Sequence, residues 1–168
     1  MPFWDTLCTM GAQFLQVGRL PVHSDMPATI AGLQFALWGA LTGYNTTAEY
    51  EQFLSEAAYS RGLPTVLVVR RGESFVGSVS LLAREMTIRP ALSPWMAQLF
   101  VVDAERGKGV GNALVNAALT YATGLGFRRV YLYTSGTLPS YYRGLGWTAL
   151  EEVEYLGKRR TIMAFDPV

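Results

Sequence analysis

The apolar positions of this chain change period several times, and each change marks an element. Residues 12–22, AQFLQVGRLPV, alternate loosely and read as an edge strand. After Ser24 and Asp25, either of which suits a helix cap, Ile30, Leu33, Leu37 and Leu41 recur at helical spacing. Thr46-Thr-Ala-Glu49 is a capping box, in which the hydroxyl takes one free amide and the glutamate reaches back to another. It opens a second helix with Tyr50, Phe53, Leu54, Ala57 and Ala58 on one side, closed by Arg61-Gly62. The period then drops to two. TVLVV (65–69), the turn Arg71-Gly72-Glu73 and SFVGSVSLL (74–82) read as a hairpin. The polar, proline-bearing AREMTIRPALSP (83–94) is a long connection to another strand, WMAQLFVV (95–102).

From about Lys108 to Leu125 a helix is apolar nearly all round. Asn112, Asn116, Thr120 and Thr123 make its one polar stripe, so it is expected to be mostly buried. Gly124 and Gly126 supply its stop. VYLYTS (130–135) has the low polarity of an interior parallel strand. A short helix around Pro139–Leu145 ends at Gly146. WTALEEVEY and RTIMAF then flank Gly157-Lys158-Arg159 as a closing hairpin, with Lys158-Arg159-Arg160 as a solvated tip. The predicted order is β-α-α-β-β-β-α-β-α-β-β, an α/β (α+β) chain. Without repeats or a composition break, residues 1–168 are expected to form a single domain.

Composition narrows the function classes. Half the residues are hydrophobic and 16% are charged, which supplies a core and argues against disorder. A net charge of +1 gives no global field for nucleic acid or a membrane surface, so neither is an expected partner. The lone cysteine, Cys8, leaves no internal disulfide and no multi-cysteine zinc site, and points to a reducing compartment. The first residues, MPFWDTLCTMGAQF, carry no early Lys or Arg, and no apolar run is long enough to span a bilayer. A cytoplasmic protein without a metal is the expectation.

One stretch carries chemistry. ERGKGVGNAL (105–114) sets three glycines and two cations where a strand, Gln98-Leu-Phe-Val-Val102, turns into the buried helix. Exposed amides and the helix N-terminus together make an anion site. A P-loop fails, because Lys108 is followed by Gly109; a dinucleotide fingerprint fails, because its last glycine would fall on Asn112 or Leu114. What remains is R-x-x-G-x-G at Arg106, Gly109 and Gly111. Together with SYYRGLGW (140–147), which is similar to an F-Y-x-x-L-G-F segment, and with the order of elements, the pattern resembles the GNAT family of N-acetyltransferases. Counted from Val102, the approach to Arg106 is one residue shorter than the family's V-x-P-x-x-R. EM-x-x-RP-x-L-SPW (85–95) resembles a subgroup of bacterial members.

The resemblance implies a mixed sheet of about six to seven strands flanked by about four helices. It also implies acetyl-coenzyme A as acyl donor. The turn amides of Arg106, Gly107, Lys108, Gly109, Val110, Gly111 and Asn112 would hold its pyrophosphate. The backbone of Phe100, Val101 and Val102 would pair with the pantetheine arm in a splay between two strands, and Ser135, closing the second of these, joins the cofactor-binding set. Tyr142 aligns with the tyrosine that faces the coenzyme sulfur. With a phenol near 10 and a thiol near 8.5, full proton transfer is uphill by roughly 2 kcal/mol, so a strong hydrogen bond to the departing thiolate is the expected role.

The strand before the turn, Trp95-Met-Ala-Gln98, lacks the glutamate that many relatives place there as base. Glu85, Glu151, Glu152 and Glu154 are alternatives, and a base relayed by water is the leading expectation. A site without a strong base should favour amines of low pKa, since freeing a lysine amine at pH 7 costs about 4.5 kcal/mol and an α-amine only about 1. On the acceptor side, Glu85, Trp95 and Glu152 are the candidate substrate residues, and His23, far from the motifs, is read as structural or exposed. The acceptor is a small-molecule or peptide amine, attacked directly in a ternary complex. The competing reading is a non-catalytic acyl-coenzyme A binding or sensing module. A homodimer is compatible with the apolar composition and with the family's habit of pairing.

Overall fold

The computed structural model describes residues 5–7 and 15–167. Cys8 and residues 12–14 of the first predicted strand lie outside them. The described residues form eight strands and four α-helices in the order β1 (Asp5–Leu7), β2 (Leu15–Arg19), α1 (Met26–Trp38), α2 (Thr47–Ala57), β3 (Thr65–Arg71), β4 (Ser74–Leu82), β5 (Trp95–Val101), α3 (Val110–Gly124), β6 (Val130–Thr134), α4 (Leu138–Gly144), β7 (Thr148–Tyr155) and β8 (Lys158–Phe165). Single 3₁₀ turns, Gly39–Thr42 and Asp103–Glu105, follow α1 and β5. The capping box forms: the Glu49 amide donates to Thr46 Oγ1 at 3.1 Å, and Glu49 Oε2 accepts from the Asn45 amide at 2.9 Å. Among the described residues no helix is long and apolar enough to cross a membrane.

The strands form one mixed sheet in the order β1-β2-β3-β4-β5-β6-β8-β7. The added strand β1 pairs with β2, so residues 15–19 are not the edge the alternation predicts. Only β5 and β6 run parallel; the other neighbours are antiparallel. Alternation along β3 splits its side chains between two cores. Leu67 and Val69 join α3 residues Leu114, Val115 and Ala118 on one face. Val66 and Val68 join Ile30, Ala31, Tyr50 and Leu54 of α1 and α2 on the other. The buried side of α3 is as expected, with Asn112, Asn116, Thr120 and Thr123 exposed.

Helix α1 departs from the expected stripe. It buries Met26, Ile30, Ala31 and Gln34, while Leu33, Leu37 and, beyond it, Leu41 are exposed. The helix is apolar on several sides, so periodicity alone does not pick the inward one. A polar residue decides it: Gln34 is buried because its Oε1 accepts from the Tyr50 hydroxyl and its Nε2 donates to Ser78 Oγ at 2.7 Å. Of these leucines, Leu41 lines the sheet opening described next.

Candidate active site

The glycine turn is built from main chain. β5 ends at Val101, and Asp103 begins the 3₁₀ turn. Counted from Val101 the approach reads V-x-D-x-x-R, so the spacing equals the V-x-P-x-x-R pattern with aspartate in the proline position, and no residue is missing. Gly107 and Gly109 sit at φ of 73° and 86°, a region where a Cβ is strained, and Gly109 caps α3. A Cβ on either glycine would meet nothing within 4 Å, so that side of the turn is open. The amides of Val110, Gly111 and Asn112 are the first of α3 and have no intrahelical carbonyl to bond. The Arg106 amide, by contrast, donates to the Asp103 carbonyl at 3.3 Å. Its guanidinium folds back too, with Nε on the Val101 carbonyl at 3.0 Å and Nη1 2.9 Å from Asp103. Arg106 therefore braces the turn more than it projects from it. Glu105 pairs with Arg71 at 3.1 Å and lies 3.9 Å from Lys108 Nζ.

Beside the turn the sheet opens. β5 and β6 share one registered pair, Trp95↔Tyr131, with the Tyr131 amide on the Pro94 carbonyl at 2.9 Å; beyond it the strands part. On its other edge β5 carries a bulge, where Gln98 and Leu99 together face Val79 and Gln98 takes φ 57°. The Gln98 side chain accepts from Ser80 Oγ at 2.8 Å and donates to the Thr42 carbonyl at 3.4 Å, so it ties β4 to the first 3₁₀ turn. The Val102 amide donates to the Val76 carbonyl at 2.9 Å. By strand alternation Phe100 also faces β4, which leaves Leu99 and Val101 to present their backbone groups to the opening. Of the three expected residues, Val101 turns its amide to the opening while its carbonyl takes Arg106 Nε; Phe100 faces β4, the Val102 amide and carbonyl are bonded to Val76 and Glu105, and Leu99 lies on the side of Val101.

Two cavities meet at the opening. One, of about 230 Å³, lies between β5 and β6 and is walled by Ala97, Leu99, Thr134, Ser135 and Tyr142. The other, of about 480 Å³, is walled by Tyr44, Phe53, Pro64, Tyr155 and Leu156. Leu41, Glu85, Gln98 and Tyr133 line both. A model of the GNAT acetyltransferase family matches residues 32–147, more than half of the sequence. The chain belongs to the GNAT acetyltransferase family. It is an acyltransferase that uses acetyl-coenzyme A. Among solved structures it is similar to an aminoglycoside 6'-N-acetyltransferase complexed with coenzyme A (TM-score 0.71, 14% identity, 90% of this chain and 97% of that one). It is similar also to a GNAT acetyltransferase from Streptococcus pneumoniae (0.63, 18%, 90% and 98%). A third is a spermidine/spermine N-acetyltransferase from Vibrio cholerae (0.66, 20%, 91% and 92%). At these identities the likeness shows the fold. No curated protein sequence gives a significant match.

Coenzyme A fits what this acetyltransferase offers: a turn open on its glycine side, free helix amides, and an unpaired strand edge leading to the smaller cavity. Tyr142 is buried, packed edge-on against Tyr141 and Trp147 at 5.1 and 6.0 Å, and burial pushes its phenol up to about 12. Against a thiol near 8.5 that makes full proton transfer uphill by about 5 kcal/mol, so a hydrogen bond is the role its environment favours. Tyr141 contributes beside it: its hydroxyl donates to Asn112 Oδ1 at 2.7 Å and lies where a Cβ on Gly111 would come within 3.2 Å, so this turn and α4 are coupled.

The acceptor-side expectations divide. Glu85 lies where the two cavities meet. Burial pushes its carboxyl up to about 7, opposed by a hydrogen bond from the Tyr133 hydroxyl at 3.5 Å. Tyr44 and Tyr50 are close enough for their phenols to be raised by its charge, after burial itself. Trp95 is not at the site: it is fully buried with Met86 and Ile162, and its Nε1 donates to the Leu92 carbonyl at 2.8 Å. An aromatic at the start of a central strand is claimed by the core. Glu152 is exposed and paired with Arg159 at 2.6 Å, and Glu151 is paired with Arg89 at 2.7 Å, on a strand whose residues 148–152 are all exposed. Glu154 is exposed on the same strand, and His23 is exposed beside Tyr59. Arg160 corrects the reading of a solvated tip. It is buried, its guanidinium lies 5.7 Å from the Tyr133 ring centroid, its Nε donates to the Tyr155 carbonyl at 3.2 Å, and it walls the smaller cavity. Alternation along β8 was the available signal, since Arg160 shares its face with the fully buried Ile162.

Proposed function

We propose that this acetyltransferase moves the acetyl group of acetyl-coenzyme A to the nitrogen of a primary amine, by direct attack with both substrates bound. The single observation that carries this is the meeting of the two cavities at Glu85, Gln98 and Tyr133, with the glycine turn and Tyr142 on one side. When bound, acetyl-coenzyme A supplies an activated thioester carbonyl. The amides of Gly107 to Asn112 hold the pyrophosphate, and the backbone of Leu99 and Val101 holds the pantetheine arm. Ser135 lines the same passage. Tyr142 donates a hydrogen bond toward the departing thiolate. Gln98 cannot act as base, so the proton of the attacking amine leaves by way of water. Glu85, with its raised carboxyl, is better matched than an ordinary carboxyl to accept it at neutral pH. The acceptor is a small molecule or the amine of a peptide.

A screen of primary amines with acetyl-coenzyme A, read by free thiol, tests this. The expected result is steady thiol release above the hydrolysis background with at least one amine. Coenzyme A binding without release from any amine would mean a binding or sensing module instead.

A further inference from the structure

The larger cavity has an apolar, aromatic wall facing a polar one to which Thr42, Glu85, Gln98 and Tyr133 contribute. Tyr44 stacks on Phe53 with ring centroids 5.3 Å apart and on Tyr50 at 5.7 Å, and Leu41, Pro64 and Leu156 complete the wall. Its charged lining is sparse. Glu85 is the one carboxyl in it, and the neighbouring Arg84 is exposed at its rim. Glu56, another carboxyl that reaches Tyr44, is exposed, bonded by Gln52 at 3.0 Å, and not part of the lining. Arg160 adds positive charge on the side of the smaller cavity. A polycation bound here would set one ammonium against Glu85 and leave the others without a second carboxylate and near the like charge of Arg84. A molecule with one amine and an apolar body meets both conditions at once.

We infer that the acceptor of this enzyme is a monoamine carried on an aromatic or aliphatic body, seated against Tyr44 and Phe53 with its nitrogen directed to Glu85. Glu85 then has two tasks: it anchors the ammonium and, directly or through one water, takes the proton that leaves, so that with this carboxyl in place the acceptor need not be an amine of low pKa. The inference rests on the acetyltransferase reading above and goes further by setting this chain apart from enzymes built for polyamines or aminoglycosides. The aromatic stack would contribute through ring–ring contact, which neither a linear polyamine nor an aminosugar can make.

The test compares initial rates of thiol release with 2-phenylethylamine, spermidine and kanamycin, alongside the affinity for coenzyme A by calorimetry. The expected kcat/KM for 2-phenylethylamine exceeds that for either polycation by about 30-fold or more. Tyr44→Leu removes the ring and keeps an apolar side chain; it should raise KM for 2-phenylethylamine about tenfold and leave kcat within about threefold. Glu85→Gln should lower kcat/KM about 30-fold or more, with unchanged coenzyme A affinity. Spermidine or kanamycin as the better substrate, or a Tyr44→Leu enzyme with an unaltered KM, would overturn the assignment of acceptor class and leave acetyl transfer standing. Thiol release with no amine at all would overturn both.

Discussion

The two halves of this active site are made of different material. The pyrophosphate end of the donor half is six consecutive residues, Gly107 to Asn112, whose groups on offer are amides. The acceptor half is assembled from side chains that lie between Ala40 and Leu156, carried on separate elements. A main-chain site is written in local sequence, because glycine at φ 73° and 86° is a backbone instruction that needs no partner elsewhere. A side-chain site is written in topology. Glu85 sits in a connection whose sequence gives no hint of Tyr133 or Tyr44; the sheet order places them together. The difference predicts that changes to the donor half act through backbone shape, and changes to the acceptor half through chemistry.

The largest expected effect comes from breaking the backbone. Gly109→Val forces a branched side chain to φ 86°, a strain of about 1–2 kcal/mol or more, and reshapes the first turn of α3. Coenzyme A should bind about 30-fold more weakly or worse by calorimetry, with the fold retained by circular dichroism. Tyr142→Phe removes one hydroxyl at the junction of the halves; kcat should fall about tenfold or more, while coenzyme A affinity stays within about twofold. A Tyr142→Phe enzyme with near-normal turnover would remove the assignment.

Glu85→Gln sharpens the comparison on the acceptor side by pH. With its carboxyl near 7, the wild-type kcat/KM should rise as pH climbs through that value, because the base must lose its proton, and the variant should lack that step. Stability runs the other way. The folded chain holds a proton on Glu85 that the unfolded chain has lost between about 4.5 and 7, so this contribution is complete at lower pH and is lost as pH rises through 7. Denaturant titration should find Glu85→Gln gaining on the wild type by roughly 1–3 kcal/mol between pH 4 and pH 8. The smallest effect is expected at Arg106. Its guanidinium is folded onto Val101 and Asp103, so Arg106→Ala should weaken coenzyme A by only about threefold, through a looser turn.

Much of the architecture was legible because it is periodic. The hairpin 65–82, the buried helix α3 and the capping box at Thr46 follow from spacing alone. The failures have a common cause. Leu33 and Leu37 repeat at helical spacing with Ile30, yet they are exposed while Gln34 is buried, and its partners Tyr50 and Ser78 lie far along the chain. Residue type alone points Trp95 and Glu152 to the site; one belongs to the core and the other to a cross-strand ion pair. Arg160 was read with its basic neighbours as solvated, although β8 turns it inward to Tyr133. The glycine turn is a local pattern, legible where it stands, whereas which strand residues face the opening depends on which side of β5 is paired to β4. The bulge at Gln98 decides that pairing.

The most direct measurement is the affinity of a bisubstrate conjugate, in which the sulfur of coenzyme A is joined through an acetyl linker to the nitrogen of 2-phenylethylamine. If the two cavities are donor and acceptor halves of one site, the conjugate spans them and gains from both. It should bind about 100-fold or more tightly than coenzyme A alone, and Tyr44→Leu should remove a large part of that gain. A conjugate that binds no better than coenzyme A would contradict the joined site.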